Sequence, residues 1–167
     1  MTAKKQAIGA PLIQANISPF AFQHYARDFF AAYLAYRPSG RFSPARLFLI
    51  SRSIELASKA LQIAQHRKFD EIKKINHNLV KSCDTHTLAR YAIVLTTEEL
   101  EALRMADAYY SNKGFEYFWF TKEGVPPDRS GPTQALLGWP DLPKENELEC
   151  VYTKLTSVDL SDDDRPI

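Results

Sequence analysis

Ile54-Glu55-Leu56-Ala57-Ser58-Lys59-Ala60-Leu61 is the stretch whose reading decides the fold. A helix turns by about 100° per residue, so apolar positions can be laid out around its axis. From Ser43 onward, Leu47, Ile50, Ile54, Ala57, Leu61 and Ala64 fall on one side, and Leu49, Leu56, Ala60 and Ile63 widen that arc past half the circumference. A helix apolar over so much of its surface belongs in the middle of a bundle. Ser43-Pro44 supplies an N-cap and a proline for the first turn, and the helix is expected to reach about Gln65. The remaining arc carries Ser51, Arg52, Glu55, Ser58, Lys59 and Gln62. Glu55 and Lys59 stand four apart with the acid first, the favourable order for a helical ion pair.

On the N-terminal side, Ser18-Pro19 repeats the start signal, and Phe22, Tyr25, Ala26, Phe29, Phe30 and Tyr33 recur at helical spacing from Phe20 to Tyr36. Gln23, His24, Arg27 and Asp28 fall on the other side, and Arg37-Pro38-Ser39-Gly40 ends the helix. Residues 1–17 read as a flexible lead. Beyond the central helix, residues 70–75 suggest a helical turn and Asn76 to Thr87 a helix. Residues 88–95 are apolar and fit helix or strand; with no second clear strand to pair with, they are read as a helical turn and connector. Thr96-Thr97-Glu98-Glu99 is a capping box opening a helix to about Asn112, stopped by Gly114. The aromatic run Phe115 to Phe120 suits core packing or a dimer interface. Residues 121–142 form a Pro/Gly-rich covering loop, and Pro143 opens a last helix to about Thr156. The expectation is one domain over 18–157, followed by a disordered acidic tail over 158–167 that holds Asp162-Asp163-Asp164.

The 167 residues suffice for a single core. Twenty-one basic and 20 acidic residues leave a net charge of +1, which argues against a strongly basic nucleic-acid binder. Two cysteines imply no disulfide framework and suit a reducing cytoplasm. The start of the chain is too polar for a signal peptide, and no window approaches the ~20 apolar residues of a membrane span.

Glu55-x-x-x-Lys59, then His77-Asn78-Leu79 eighteen residues after the lysine, then Tyr110-Ser111-Asn112-Lys113-Gly114-Phe115-Glu116-Tyr117, occur in that order. In these three elements the chain resembles the HEPN superfamily, and more narrowly uncharacterised bacterial HEPN-like proteins with an Ile-Glu-Leu-Ala-x-Lys-Ala helix. Those carry a Gly before the His, where this chain has Asn76, and one residue fewer before the Phe. The resemblance covers roughly residues 18–120. It implies an all-α, up-and-down bundle of four to five helices, often homodimeric, in a bacterial defence or toxin–antitoxin setting. Many members are metal-independent ribonucleases that use an Arg followed by four to six residues and a His. Here none of His24, His66, His77 or His86 follows an Arg at that distance.

Glu55, Lys59 and His77 are the candidate constellation. As a structural polar lock, the ion pair sits on the central helix and His77 ties a second helix to it; this is the preferred reading. As catalytic groups, His77 serves as acid or base, Lys59 holds a phosphate and Glu55 orients either one. Arg52, Arg67, Lys68, Lys73 and Lys74, with Arg37, Arg41, Arg46 and His66, offer a basic rim for nucleic-acid phosphates. Cys83 and His86 stand three apart without the further ligands a zinc site needs, so neither metal nor cofactor is expected. Three functions follow in order: a non-enzymatic interaction module, expected to be a homodimer, with RNA or another protein as a further partner and no membrane; a metal-independent ribonuclease using Lys59, His77 and Glu55; and a nucleotide- or nucleic-acid-binding domain without chemistry.

Overall fold

The computed structural model describes residues 18–38, 43–113 and 142–160. Among these, all regular structure is helical. The long helices are α1 (Pro19–Ala35), α2 (Pro44–Ala64), α6 (Thr97–Tyr110) and α7 (Glu145–Thr156); the short ones are α3 (Phe69–Ile75), α4 (Leu79–Ser82) and α5 (Thr85–Arg90). The all-α bundle expected from the apolar periodicity is what the chain forms. No described helix is long and apolar enough to cross a membrane.

Side-chain ties give the helix directions. Arg46, at the start of α2, bonds the carbonyls of Tyr33 and Tyr36 at the end of α1. Its guanidinium also lies 4.1 Å from the Tyr33 ring centroid. Further along, Arg52 approaches the Phe29 ring, so α1 and α2 run antiparallel. The Tyr33 hydroxyl meets Glu145 and Glu149 in the first turns of α7, and Phe30 stacks on Tyr152 one turn later. Hence α7 is antiparallel to α1 and parallel to α2. Lys154, near the end of α7, reaches Glu99 at the start of α6, which reverses direction again. Ile50, Ile54 and Leu61 of α2 are fully buried among the other helices. Each such side chain contributes roughly 1.5–3 kcal/mol over its exposed state.

The start signals at Ser18, Ser43 and Thr96 act as expected. Each hydroxyl accepts a backbone N–H of its helix's first turn, and Glu99 returns the bond to Thr96. Other expectations are corrected. The single helix over Asn76 to Thr87 is two short ones. Asn78 and Asp84 each turn a side-chain oxygen back onto the following turn, at Lys81 N–H and Thr87 N–H, and each such cap restarts the chain. Gln23, assigned to the outer side of α1, is buried because its amide reaches the Val158 carbonyl at 2.7 Å. The last helix begins at Glu145, two residues after Pro143. Residues 158–160, assigned to a disordered tail, pack on the bundle, with Leu160 in the core. The lead 1–17, Arg41, the aromatic run Phe115 to Phe120, the loop from 121 to 141 and the acidic residues 162–164 lie outside the described residues.

Candidate functional site

Glu55 lies at the middle of α2 and is fully buried. A carboxylate there requires partners on every lone pair, because an isolated charge in the interior costs several kcal/mol or more. The fold supplies three donors and a histidine. Lys59 Nζ, one helical turn on, bonds Oε1 at 2.5 Å. Arg52, one turn back, bonds Oε2 at 2.8 Å. The Tyr110 hydroxyl, arriving from the last turn of α6, donates to Oε2 at 2.5 Å. His77 Nδ1, from the turn before α4, stands 3.3 Å from the same oxygen. The contacts fall unevenly, one on Oε1 and three on Oε2, and together they engage both carboxylate oxygens. Burial by itself raises its pKa, but the charges of Lys59 and Arg52 and the hydrogen bonds from Lys59 and Tyr110 outweigh burial and hold the carboxyl below the usual range. Burial and the neighbouring Glu55 charge push the Tyr110 phenol the other way, upward.

The backbone that presents His77 is strained. Asn76 has φ 56° and ψ −129°, and the turn around it closes from Asn78 N–H to the Ile75 carbonyl at 3.2 Å. Those angles belong to the first central position of a type II′ turn, where glycine is preferred. The Asn76 carbonyl is useful in this pose: it accepts Lys59 Nζ at 2.7 Å. Leu79, fully buried, and Asp107 of α6 anchor the far side, with Asp107 accepting Leu79 N–H and the Asn78 amide. Burial raises the Asp107 pKa, against the opposing pull of the Leu79 and Val80 amides.

Asn76→Gly removes this strain. Strain of this kind costs of order 1–3 kcal/mol, and part of the relief is offset by the larger backbone freedom of glycine when unfolded. The expected outcome is a gain of about 1 kcal/mol, read as a higher urea midpoint at unchanged slope. A lower midpoint would show that the asparagine side chain contributes more than the turn loses.

Above the network opens a cleft of about 410 Å³. Arg52, Lys59 and His77 lie at its floor with Glu55, and Lys73 of α3 reaches its edge. Phe22 and Tyr25 of α1 and Phe69 and Ile72 of α3 wall it. Arg52, Lys59 and Lys73 thus bring three cations to the cleft, and Glu55 pairs with the first two. Tyr25 and Phe69 keep about two-fifths of their surface in solvent. The size is that of an ordinary small-ligand site.

The candidate trio Glu55, Lys59 and His77 is therefore brought together, and Arg52 and Lys73 join it. Arg67, Lys68 and Lys74 do not line this cleft. Arg67 is engaged by Asp84 at 3.2 Å and Glu71 at 3.7 Å beside a separate hollow that also holds His86 and Arg90. Cys83 borders a third, apolar hollow, so it and His86 line different hollows. Burial pushes its thiol up to about 12. Two partners of Glu55 escaped the reading of the sequence. Arg52 was assigned only to a basic rim, although its i, i+3 spacing from Glu55 allows the pair. Tyr110 enters the sequence reading only as the first residue of the Tyr-x-x-Lys element, and that position was the one available sign of a larger role. The chain matches no family model, no curated protein and no solved structure.

Proposed function

We propose that the chain is a HEPN-like, non-enzymatic binding module whose cleft takes a nucleoside phosphate. The observation that carries this is the pairing, in one cleft, of a cationic floor with exposed aromatic walls. Arg52, Lys59 and Lys73 suit a phosphate group, and Tyr25 and Phe69 offer flat faces for a base. Glu55 is unsuited to proton transfer, because it is buried, bonded at both oxygens and held ionised. Its part is to fix the directions of Lys59, Arg52 and His77. This joins the polar lock and the binding cleft in one device.

Metal-independent RNA cleavage is a second reading. His77 favours it: its ring lines the cleft, and Glu55 faces Nδ1 as an orienting carboxylate.

Titration calorimetry with ADP is the test. The expected result is saturable binding that weakens roughly tenfold in Lys73→Glu, since Lys73 is exposed and its reversal puts a repulsive charge on the rim. Equal affinity in the two proteins, or no binding by either, would overturn the nucleotide reading. RNA degraded in chelator by the wild type and spared by His77→Ala would replace binding with cleavage.

A further inference from the structure

We infer that His77 is the fourth cation of an anion subsite in the cleft: it holds the ligand's phosphate as an imidazolium, and each phosphate bound brings a proton from solvent onto Nε2. For the identity of the ligand this rests on the nucleotide reading above; for the proton it rests on the placement of the ring. An ionised carboxylate only accepts hydrogen bonds. Glu55 is held ionised and its Oε2 faces Nδ1 at 3.3 Å, so Nδ1 carries the hydrogen of the neutral ring and Nε2 is a bare acceptor. The two nitrogens point to opposite sides of an imidazole. With Nδ1 turned to the floor carboxylate, Nε2 is turned away from the floor. The side chain lines the cleft and is 35% exposed. Among the described residues, Glu55 is the hydrogen-bond partner of this ring, and it occupies Nδ1 alone.

The cleft has a polarity. Phe69, Ile72, Lys73 and Asn76 recur at i, i+3, i+4 and i+7, and all four line it, so one face of α3 forms the wall. Along that face an aromatic ring comes first, a cation one turn later, and then the turn that carries His77. Lys59 Nζ bonds the Asn76 carbonyl at 2.7 Å, which sets a second cation beside the same turn. His77 therefore stands at the cationic end, away from Phe69. A phosphate between Lys59 and Lys73 has Nε2 as its neighbour. A bare lone pair there repels the phosphate oxygens, whereas an N–H gives them a charge-assisted hydrogen bond. The groups around the ring are Arg52, Glu55 and Lys59 of α2, Lys73 of α3, and the phenols of Tyr110 on α6 and Tyr25 on α1. Asp107 of α6 is engaged on the far side of the turn by the Asn78 and Leu79 amides. In the free cleft three cations outnumber one anion around the ring, and a phosphate reverses that balance. Glu55 stays ionised and Tyr110 neutral between about pH 6 and 8, where a histidine changes charge, so the proton goes to the imidazole.

Titration calorimetry of ADP in buffers of different ionisation enthalpy counts the protons taken up. His77→Asn is the comparison, because an asparagine amide nitrogen can stand in for Nδ1 against Glu55 while Nε2 is gone. A histidine of ordinary behaviour is roughly three-quarters neutral at pH 7, so the wild type is expected to take up about 0.7 proton per ADP more than the variant. Protons taken up by ADP itself cancel in the difference. NMR of the wild-type histidine rings gives a second readout that holds even if His77→Asn fails to fold. The titration midpoint of His77 is expected to rise by about one pH unit when ADP saturates the protein, a tenfold preference for the imidazolium. His24, which does not line the cleft, is expected to keep its midpoint. ADP bound with equal proton uptake by the two proteins, or with the His77 midpoint unmoved, overturns the inference and leaves the nucleotide reading in place. If no ADP binds, the same NMR titration in inorganic phosphate decides. A raised midpoint there keeps the inference and removes the nucleotide reading, and an unmoved one overturns both.

Discussion

Glu55→Gln is expected to lower the unfolding free energy by about 3–5 kcal/mol, the usual cost of removing one partner from a buried ionic group. The amide keeps the shape of the side chain and one acceptor oxygen. It cannot balance Lys59 and Arg52, which are 12% and 30% exposed and face it from both sides. It also puts an NH2 group in place of one acceptor oxygen, so it faces either Lys59 at the Oε1 position or Arg52 at the Oε2 position with a donor where each cation had an acceptor. Denaturant unfolding measures the loss. A loss under about 1 kcal/mol would mean that water or rotamer changes relieve both cations, and that the network is a surface feature.

The same variant carries a pH signature. The folded pKa of Glu55 lies below its ordinary 4.5. The stability that Glu55 contributes is therefore present above the ordinary value and lost as pH falls through the folded one. The gap between wild type and Glu55→Gln should be widest near neutrality and close in acid. Asp107 works in the opposite sense, because its pKa is raised. Its contribution is fully present below the ordinary value of 3.8 and lost as pH rises through the folded value. Both proteins share Asp107, so the difference between them isolates Glu55.

What could be read ahead of the structure follows the range of the interactions. The width of the apolar arc on α2 predicted its central place, and hydroxyls before Pro19 and Pro44 predicted two helix starts, because both signals are local. The burial of Ser53 and Ser58 was not legible. Their hydroxyls bond carbonyls three residues back in the same helix, which lets a polar side chain enter the core with no partner visible in the sequence. Gln23 and Tyr110 depend on atoms 135 and 55 residues away, and no pattern of spacing reports such pairs. Glu55, Lys59 and His77 could be nominated together only because the first two share a helix and the third stands in a short element of the resemblance. Their meeting over 22 residues is a product of the Asn76 turn.

Replacing the whole network at once separates its two roles. Arg52→Met, Glu55→Leu, Lys59→Met and Tyr110→Phe together exchange the charges and the phenol for apolar groups of similar volume. Buried ionic clusters so replaced are often neutral or more stable, because the desolvation of the charges disappears together with their attraction. The quadruple variant is expected to unfold within about 2 kcal/mol of wild type, well above Glu55→Gln alone. Its groups left without partners, His77 Nδ1 and the Asn76 carbonyl, lie on a half-buried side chain and an exposed residue where water can reach them. ADP binding is expected to fall by at least about two decades, because both floor cations are gone. Stability regained with affinity lost would mean that α2 carries ionic groups for the ligand, since apolar ones would have held the bundle. Stability still low would return the network to the role of a polar lock that specifies how α2, α4 and α6 meet. Affinity retained would place the ligand elsewhere and detach the cleft from function altogether.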